Sequence, residues 1–215
     1  MNLVSSSSNL PVVLASNSAI RKKILTDIGI SFICESPEFL EEEAKQQLII
    51  EQSKNNLSIN IKKIALELAI GKARSLSKKY DNHLIIGSDQ ICEFEGNIIN
   101  KSNSAEEAIN QLQMMSNDMH LQHNAVVIIL NNKIIFRKST TAKMWLSQLS
   151  LEQIKLYVEI DKPWGCAGSY KYESLGKHLF KKVEGDYYSI LGLAIQPVIS
   201  FLHQNKFLNI NQFHK

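Results

Sequence analysis

The strongest constraint on the fold is a continuous apolar run that ends in small and polar residues. Residues 84–86 form this run, and Gly87-Ser88-Asp89-Gln90 follows it directly. An uninterrupted apolar run is typical of a strand that is buried on both faces, as in the sheets of α/β proteins. We therefore predict a central strand, a sharp turn at Gly87-Ser88, and the carboxylate of Asp89 just beyond the strand end.

The next segment brings the chain back beside this strand. Two strand-like runs within residues 91–99 flank Glu95-Gly96-Asn97, which is typical of a hairpin turn. The returning strand leads to Lys101, so an ammonium group and the carboxylate of Asp89 follow neighbouring strands. Ligands often bind at strand ends of α/β sheets. The same stretch is also compatible with a solvated acid in a turn and a lysine on the surface. Other parts of the chain must decide between this interpretation and a ligand site.

A strand and a helix near the N-terminus are compatible with an anion site. Residues 12–14 form a short apolar strand, and Ser18 is a favourable N-cap for a helix at Ala19–Asp27. Arg21 and Lys22 lie in the first turn of that helix, where free backbone N–H groups attract anions. The alternative interpretation is that both are solvated side chains on an amphipathic helix.

An acidic segment and a long helix follow. We predict that residues 38–43 form an acidic loop, in which at most one carboxylate has a functional role. Apolar residues at helical spacing over residues 57–79 predict an amphipathic helix, with Lys72 in its later half.

The second half of the chain alternates strands and helices and contains a glycine-rich region. Gly165, Gly168 and Gly176 interrupt aromatic and apolar residues, so the backbone there can approach a ligand closely. Because there is no repeat or linker, we predict one domain over residues 1–215. The other predicted elements are helices at 105–115, 151–160 and 197–204 and strands at 121–130 and 133–146.

Charge and cysteine usage exclude several classes of protein. The formal charge of +3 comes from 24 Lys and Arg against 21 Asp and Glu without a basic cluster, so we expect no nucleic-acid partner. Cys34, Cys92 and Cys166 form no CxxC pair, which argues against a disulfide framework or a cysteine zinc site. Since the sequence shows no signal peptide and no membrane span, we expect a cytoplasmic protein.

The remaining polar residues indicate phosphate chemistry. Several cations accompany one or two carboxylates, and no Ser–His–Asp or Cys–His set is evident. Polyphosphate cleavage needs cationic groups, a divalent metal held by carboxylates and a means of activating water. Without a Walker A or GxGxxG motif, side chains and a helix N-terminus would hold the phosphates. The residues that we single out are Ser16, Arg21, Lys22, Glu41, Lys72, Asp89, Gln90, Lys101 and Glu173.

Three motifs resemble those of the Maf family of nucleotide pyrophosphatases, in order over nearly the whole chain. They are Leu14-Ala15-Ser16-Asn17-Ser18-Ala19-Ile20-Arg21-Lys22, Gly87-Ser88-Asp89-Gln90 with Lys101, and Ala167-Gly168-Ser169-Tyr170 through Gly176. The resemblance implies a Maf/ITPase-like α/β fold, with an extended, mixed, twisted sheet flanked by helices and two lobes around a cleft. It also implies hydrolysis of a nucleoside triphosphate to the monophosphate and pyrophosphate with Mg²⁺, Mn²⁺ or Co²⁺.

The resemblance also implies roles for individual residues. Asp89 would be the catalytic acid or base, or would hold the metal, and Glu41 would be a second metal ligand. A homodimer is compatible with the family. The residues that would hold the phosphates are Ser16, Arg21, Lys72 and Lys101.

Substrate choice is predicted from Gln90 and Glu173. Branches of the family that act on dTTP and UTP tend to have Thr and Gln at these positions, whereas this chain is similar to the 7-methyl-GTP pyrophosphatase branch in Gly-Ser-Asp-Gln and in Cys166-Ala167-Gly168-Ser169. The Glu173 carboxylate can accept hydrogen bonds from guanine N1–H and the exocyclic amine. Trp164 or Tyr172 could stack on a methylated base, although core packing is the more ordinary role.

Four positions depart from the family pattern, and one of them, Ile20, is tied to substrate choice. The departures are Ala19 in place of Pro, Ile20 in place of a polar or aromatic residue, Leu40 in place of an acid, and Ser102 in place of Pro. We predict an enzyme that clears 7-methyl-GTP as a modified nucleotide. The alternatives are a dTTP/UTP pyrophosphatase and a non-catalytic, nucleotide-binding regulator of cell division.

Overall fold

A mixed sheet of seven strands forms the centre of the fold within residues 10–54 and 59–208, the part of the chain that the computed structural model describes. The strands are β1 (Val12–Ala15), β2 (Phe32–Glu35), β3 (Leu84–Phe94), β4 (Asn97–Ile99), β5 (Met119–Leu130), β6 (Lys133–Leu146) and β7 (Phe180–Glu184). They lie in the order β2-β1-β3-β5-β6-β7, and β4 pairs with β3 beside this path. β1 is parallel to β2 and β3, and the other pairs are antiparallel.

Helices flank both faces of this sheet, as predicted. They are α1 (Ala19–Asp27), α2 (Glu41–Lys54), α3 (Ile61–Leu76), α4 (Ala105–Met115), α5 (Leu151–Asp161), α6 (Tyr187–Ile190) and α7 (Ile195–Gln204), with a 3₁₀ turn at Leu175–Leu179. α1 and α7 pack on one face, α3 packs on the other, and α4 and α5 cover the far part of the sheet.

Successive residues of β1 and β3 enter different cores because side chains of a strand alternate between its faces. Leu14 and Ile86 pack in the cluster of α1 and α7, whereas Val13 and Ile85 pack in the cluster of α3. All four side chains are completely buried. The prediction of a central strand buried on both faces is therefore confirmed.

The predicted turn at Gly87-Ser88 is wrong, because β3 continues through both residues to Phe94. A Cβ atom on Gly87 would lie 2.3 Å from the carbonyl oxygen of Ala69 and 2.8 Å from Cβ of Ala73, both on α3. Glycine is needed here for the close approach of the helix to the strand and not for a turn. As a result, Asp89 lies inside the strand and is only 2% exposed.

The acidic loop predicted at residues 38–43 is also partly wrong. α2 begins at Glu41, and Glu41, Glu42 and Glu43 form its first turn. Carboxylates are favourable at this position because the helix N-terminus carries partial positive charge. Glu41 is consequently fixed on a helix.

Other boundaries differ from the predictions in smaller ways. α1 and α4 have the predicted bounds, but α3 begins at Ile61, after the N-cap Asn60. Residues 57 and 58 of the predicted helix lie outside the described residues. β7 was not predicted, and α7 begins at Ile195, so that Pro197 lies within its first turn. Over residues 10–54 and 59–208, no helix has the length and apolar character needed to span a bilayer.

Candidate active site

A buried ion cluster lies where α3 packs on β3. Lys72 Nζ lies 2.5 Å from Asp89 Oδ1 and 2.7 Å from Glu41 Oε2. Lys72 comes from α3, Asp89 from β3 and Glu41 from the first turn of α2. Lys72 and Asp89 are 6% and 2% exposed, so water screens their interaction weakly.

The two carboxylates differ in their protonation equilibria. Burial raises the pKa of Asp89, and the charge of Glu41 adds to this effect, while Lys72 and Arg21 oppose it. Burial also acts to raise the pKa of Glu41, but the opposing charges of Lys72, Lys101 and Arg21 lower that pKa to about 2. Glu41 is therefore ionised at neutral pH, and Asp89 has the perturbed pKa that is common for an acid or base in an active site.

The second carboxylate oxygen of Asp89, Oδ2, is buried and unsatisfied, because it accepts no hydrogen bond from the described residues. The backbone of Asp89 is held by Asn124, whose Nδ2 donates to Asp89 O at 3.0 Å and whose Oδ1 accepts from Ala194 N at 3.1 Å. A buried acceptor without a partner is costly, so a hydrogen-bond donor or a cation would be favourable at this position.

Arg21 reaches the cluster from the first turn of α1. Its Nε donates to Gly192 O at 2.7 Å, and its Nη1 lies 3.4 Å from Ser16 Oγ. Ser16 Oγ also accepts a hydrogen bond from Ser18 N at 3.1 Å. Burial lowers the pKa of Arg21, but the guanidinium group remains charged. Arg21 and Ser16 therefore lie together at the N-terminal end of α1.

Lys101 approaches from the segment after β4, whereas Lys22 lies elsewhere. Lys101 Nζ lies 3.5 Å from Glu41 Oε1. The same segment is held to α2 because Lys45 Nζ donates to Asn100 Oδ1 at 2.9 Å. Lys22 instead lines a separate open groove beside Phe32. Of the two cations predicted at the start of α1, only Arg21 is near the other candidate residues.

A cavity of about 150 Å³ adjoins the cluster and brings most of the predicted site residues together. The predicted residues that line it are Ile20, Arg21, Asp89, Gln90, Lys101 and Glu173. Glu41 lines a smaller adjoining cavity together with Asp89 and Lys101. Lys72 and Ser16 line neither cavity, but they contact Asp89 and Arg21, which do.

Gln90 has a fixed orientation in the cavity wall. Its Nε2 donates to the carbonyl oxygens of Ser189 at 3.2 Å and Ile190 at 2.8 Å. Both amide hydrogens are therefore used, and Oε1 remains as the group that a ligand can contact. Because this oxygen is an acceptor, Gln90 is suited to a ligand that presents an N–H or O–H donor.

The cavity wall also contains two polar residues that are not among the candidates singled out from the sequence, Gln122 and Tyr170. Gln122 Nε2 donates to Ala167 O at 2.9 Å and to Tyr170 Oη at 2.8 Å. Tyr170 Oη also lies 2.9 Å from Nε2 of His120, a buried histidine whose pKa burial lowers to about 4. The sequence signal that could have indicated Gln122 is the occurrence of polar residues at every second position, and so on one face, of the otherwise apolar strand β5.

The two aromatic residues considered for base stacking have different positions. Tyr172 lines the cavity and packs against two of the hydrophobic clusters. Trp164 is 40% exposed, so core packing is not its role.

The fold and this arrangement agree with the comparison of the chain with known families. The family described as Maf-like protein matches residues 11–205. The chain belongs to the Maf family. The mixed sheet and flanking helices are the architecture that the Maf resemblance implied, and the cavity beside Asp89 lies among residues of its three motifs.

Curated Maf relatives are similar over almost their whole length. A nucleoside triphosphate pyrophosphatase of Legionella pneumophila (strain Philadelphia 1) is 34% identical over 200 residues, which cover 93% of this chain and 96% of the relative. One of Nitrobacter hamburgensis is 34% identical over 202 residues, with the same two coverages. A 7-methyl-GTP pyrophosphatase of Bartonella henselae is 34% identical over 191 residues, which cover 87% of this chain and 92% of the relative.

Proposed function

We propose that this Maf protein is a metal-dependent nucleoside triphosphate pyrophosphatase, which releases the nucleoside monophosphate and pyrophosphate. The observation that carries the proposal is the buried ammonium of Lys72 between the carboxylates of Asp89 and Glu41. Arg21 and Lys101 add two further cations at the adjoining cavity. Cations beside carboxylates suit a polyphosphate, which needs charge neutralisation and a divalent metal. The names of the Legionella and Nitrobacter relatives support the same activity.

The residues present fit a divalent metal. Asp89 Oδ2 is a buried acceptor without a partner among the described residues, and the ionised Glu41 contacts the same lysine. Within residues 10–54 and 59–208, no group of three or more His, Cys, Asp or Glu side chains could hold a metal. Mg²⁺ is commonly held by one or two carboxylates together with substrate phosphates and water, so Asp89 and Glu41 would suffice. The bound ion would neutralise phosphate charge and make water more acidic.

The side chains of this chain would divide the remaining work. Arg21 and Lys101 would bind phosphate oxygens, and Ser16 would orient the guanidinium of Arg21. Asp89 would either hold the metal through Oδ2 or, with its raised pKa, accept a proton from the attacking water. Lys72 would hold the Asp89 carboxylate in its buried position.

We further propose that the substrate is 7-methyl-GTP. Glu173 and the fixed Oε1 of Gln90 both offer acceptors to the cavity. Guanine presents adjacent N1–H and N2–H donors, whereas uracil and thymine present one N–H between two carbonyl oxygens. Acceptors that stay unpaired against a pyrimidine would lower its affinity. The name of the Bartonella relative supports this substrate.

Pyrophosphate release by the purified chain tests the reaction. The panel is 7-methyl-GTP, GTP, dTTP, UTP and CTP, each with Mg²⁺, Mn²⁺ or Co²⁺ and with a chelator. We expect metal-dependent release that Asp89→Asn abolishes and that Asp27→Asn, at an exposed aspartate of α1, retains. Nucleotide binding without release would favour the alternative of a non-catalytic regulator.

Substrate choice is tested by Glu173→Gln, with Glu159→Gln at an exposed glutamate of α5 as the control. We expect Glu173→Gln to lower kcat/KM for 7-methyl-GTP about tenfold, the effect of one lost charge-assisted hydrogen bond, and to change UTP turnover little. A wild-type preference for dTTP or UTP would retain the reaction and reject this account of the base.

A further inference from the structure

Ser169, in the cavity-lining segment 165–173, has an unusual backbone conformation and a fully buried side chain. Its φ angle is +59°, and it follows Gly168, whose φ is +82°. Ser169 is 0% exposed. Residues other than glycine seldom adopt this left-handed conformation, and where they do, the surroundings hold them in it, often at functional sites.

The Ser169 hydroxyl lies in a hydrogen-bond network with defined donors. Its Oγ lies 2.5 Å from Gln111 Oε1 and 2.9 Å from Ser102 Oγ. Gln111 Nε2 donates to Asn100 O at 3.0 Å, which identifies Gln111 Oε1 as an acceptor. Ser169 has one hydroxyl hydrogen, which therefore goes to Gln111. The hydrogen bond between the two serines must then be donated by Ser102.

This network holds both chain neighbours of Lys101. Asn100 is bound through Gln111, and Ser102 is bound directly to Ser169. A backbone hydrogen bond from Gly165 N to Ser102 O, at 3.1 Å, joins the same two segments. The segment that contains Glu173 and the segment that contains Lys101 are thus one hydrogen-bonded unit.

We infer that Ser169 is a positioning residue for Lys101, coupling the base-binding wall of the cavity to its phosphate-binding lysine. The inference rests on the proposed function, in which Lys101 binds phosphate. The Lys101 side chain is 49% exposed and has many rotamers, so the position of its ammonium depends on how firmly its backbone is held. A fixed backbone reduces the entropy that is lost when the phosphates bind.

A double-mutant cycle separates this coupling from a general structural role. Ser169→Ala is made in the wild type and in the Lys101→Met variant, and kcat/KM and the nucleotide Kd are measured in all four proteins. Alanine has the same Cβ as serine, so the substitution removes only the hydroxyl. The control is Ser77→Ala, because Ser77 is a buried serine at the end of α3 whose hydroxyl donates to Arg74 O.

We expect Ser169→Ala to lower kcat/KM about tenfold in the wild type and less than about twofold in Lys101→Met, since residues linked through one hydrogen-bond network are energetically coupled. Ser77→Ala should have the same small effect in both backgrounds. Equal losses from Ser169→Ala in both backgrounds would overturn the inference and leave the proposed function intact.

Two further outcomes remain decisive. If Ser169→Ala does not fold, Ser102→Ala takes its place in the cycle, because it removes the same hydrogen bond without changing the left-handed residue. If the wild type hydrolyses no nucleotide, the proposed function fails, and the same cycle on Kd still decides whether Ser169 acts through Lys101.

Discussion

Lys72 Nζ and Asp89 Oδ1 lie 2.5 Å apart in a buried setting, although 17 positions separate the two residues in the chain. Lys72 lies on α3 and Asp89 on β3, so the distance between them depends on how closely that helix packs on that strand. The ion pair is therefore a part of the core as well as of the candidate active site. Its energy is sensitive to the loss of either partner, because a lone buried charge is costly.

Lys72→Met should destabilise the protein more at high pH than at low pH. Without the ammonium, burial and Glu41 raise the pKa of Asp89 further. An acid with a raised pKa in the folded state favours folding at low pH, and this contribution is lost as the pH rises through that pKa. We expect a loss of roughly 3–5 kcal/mol in the free energy of unfolding at neutral pH and a smaller loss near pH 4. Urea denaturation at both pH values checks this, and equal losses would contradict it.

Glu41→Gln should change the metal requirement and the acid limb of the pH–rate profile. The variant loses a carboxylate ligand, and we expect it to need roughly tenfold more Mg²⁺ for half-maximal rate. Because the charge of Glu41 raises the pKa of Asp89, its removal should move the acid limb to lower pH.

The control for Glu41→Gln is Glu43→Gln, at an exposed glutamate in the same helical turn. It should leave both the metal requirement and the acid limb unchanged. If the two variants behave alike, Glu41 does not act on the metal or on Asp89.

Gln90→Glu should weaken nucleotide binding through the cavity wall. The new carboxylate would meet the carbonyl oxygens of Ser189 and Ile190, which now accept from the amide. Buried acceptors without a donor cost about 1–3 kcal/mol of folding stability. The added negative charge repels an anionic nucleotide, so we expect a nucleotide Kd higher by roughly tenfold or more. Gln90→Met, which keeps the size without the charge, should have a smaller effect. Calorimetric titration at pH 8 measures both, and a larger effect of Gln90→Met would reject the fixed orientation of the amide.

Local signals predicted much of the fold. The N-cap Ser18 gave the start of α1, and the continuous apolar run 84–86 gave the central strand. The hairpin turn at Glu95-Gly96 was also predictable, because glycine readily adopts the positive φ that tight turns need. In the structure both residues have a positive φ. These features depend on residues that are close together in the sequence.

Long-range packing accounts for the errors. From the sequence alone Gly87 resembles a turn residue, because the helix that requires its small size comes from another segment of the chain. The short strand β7 forms only because β6 is available to pair with it. Most of the predicted site residues do lie together in the structure. The contact of Lys72 with both Asp89 and Glu41, however, depends on three elements and is not encoded by any one motif.

Gly87→Ala should impair activity by separating Lys72 from Asp89. The new Cβ would meet the carbonyl oxygen of Ala69, a backbone atom that cannot move aside without moving α3. Overpacking of this kind typically costs about 1–3 kcal/mol of stability. Because Asp89 follows two positions later on the same strand, the ion pair should lengthen and kcat should fall.

The comparison that isolates this effect is Gly96→Ala in the β3–β4 turn. A Cβ on Gly96 would meet no atom within 4 Å, but its φ of +78° strains any residue with a side chain, so stability should fall there as well. Thermal unfolding should show losses of stability of similar size in the two variants. After correction for the fraction of folded protein, kcat should fall only in Gly87→Ala. Equal kcat in the two variants would show that activity tolerates a change in the distance between α3 and β3.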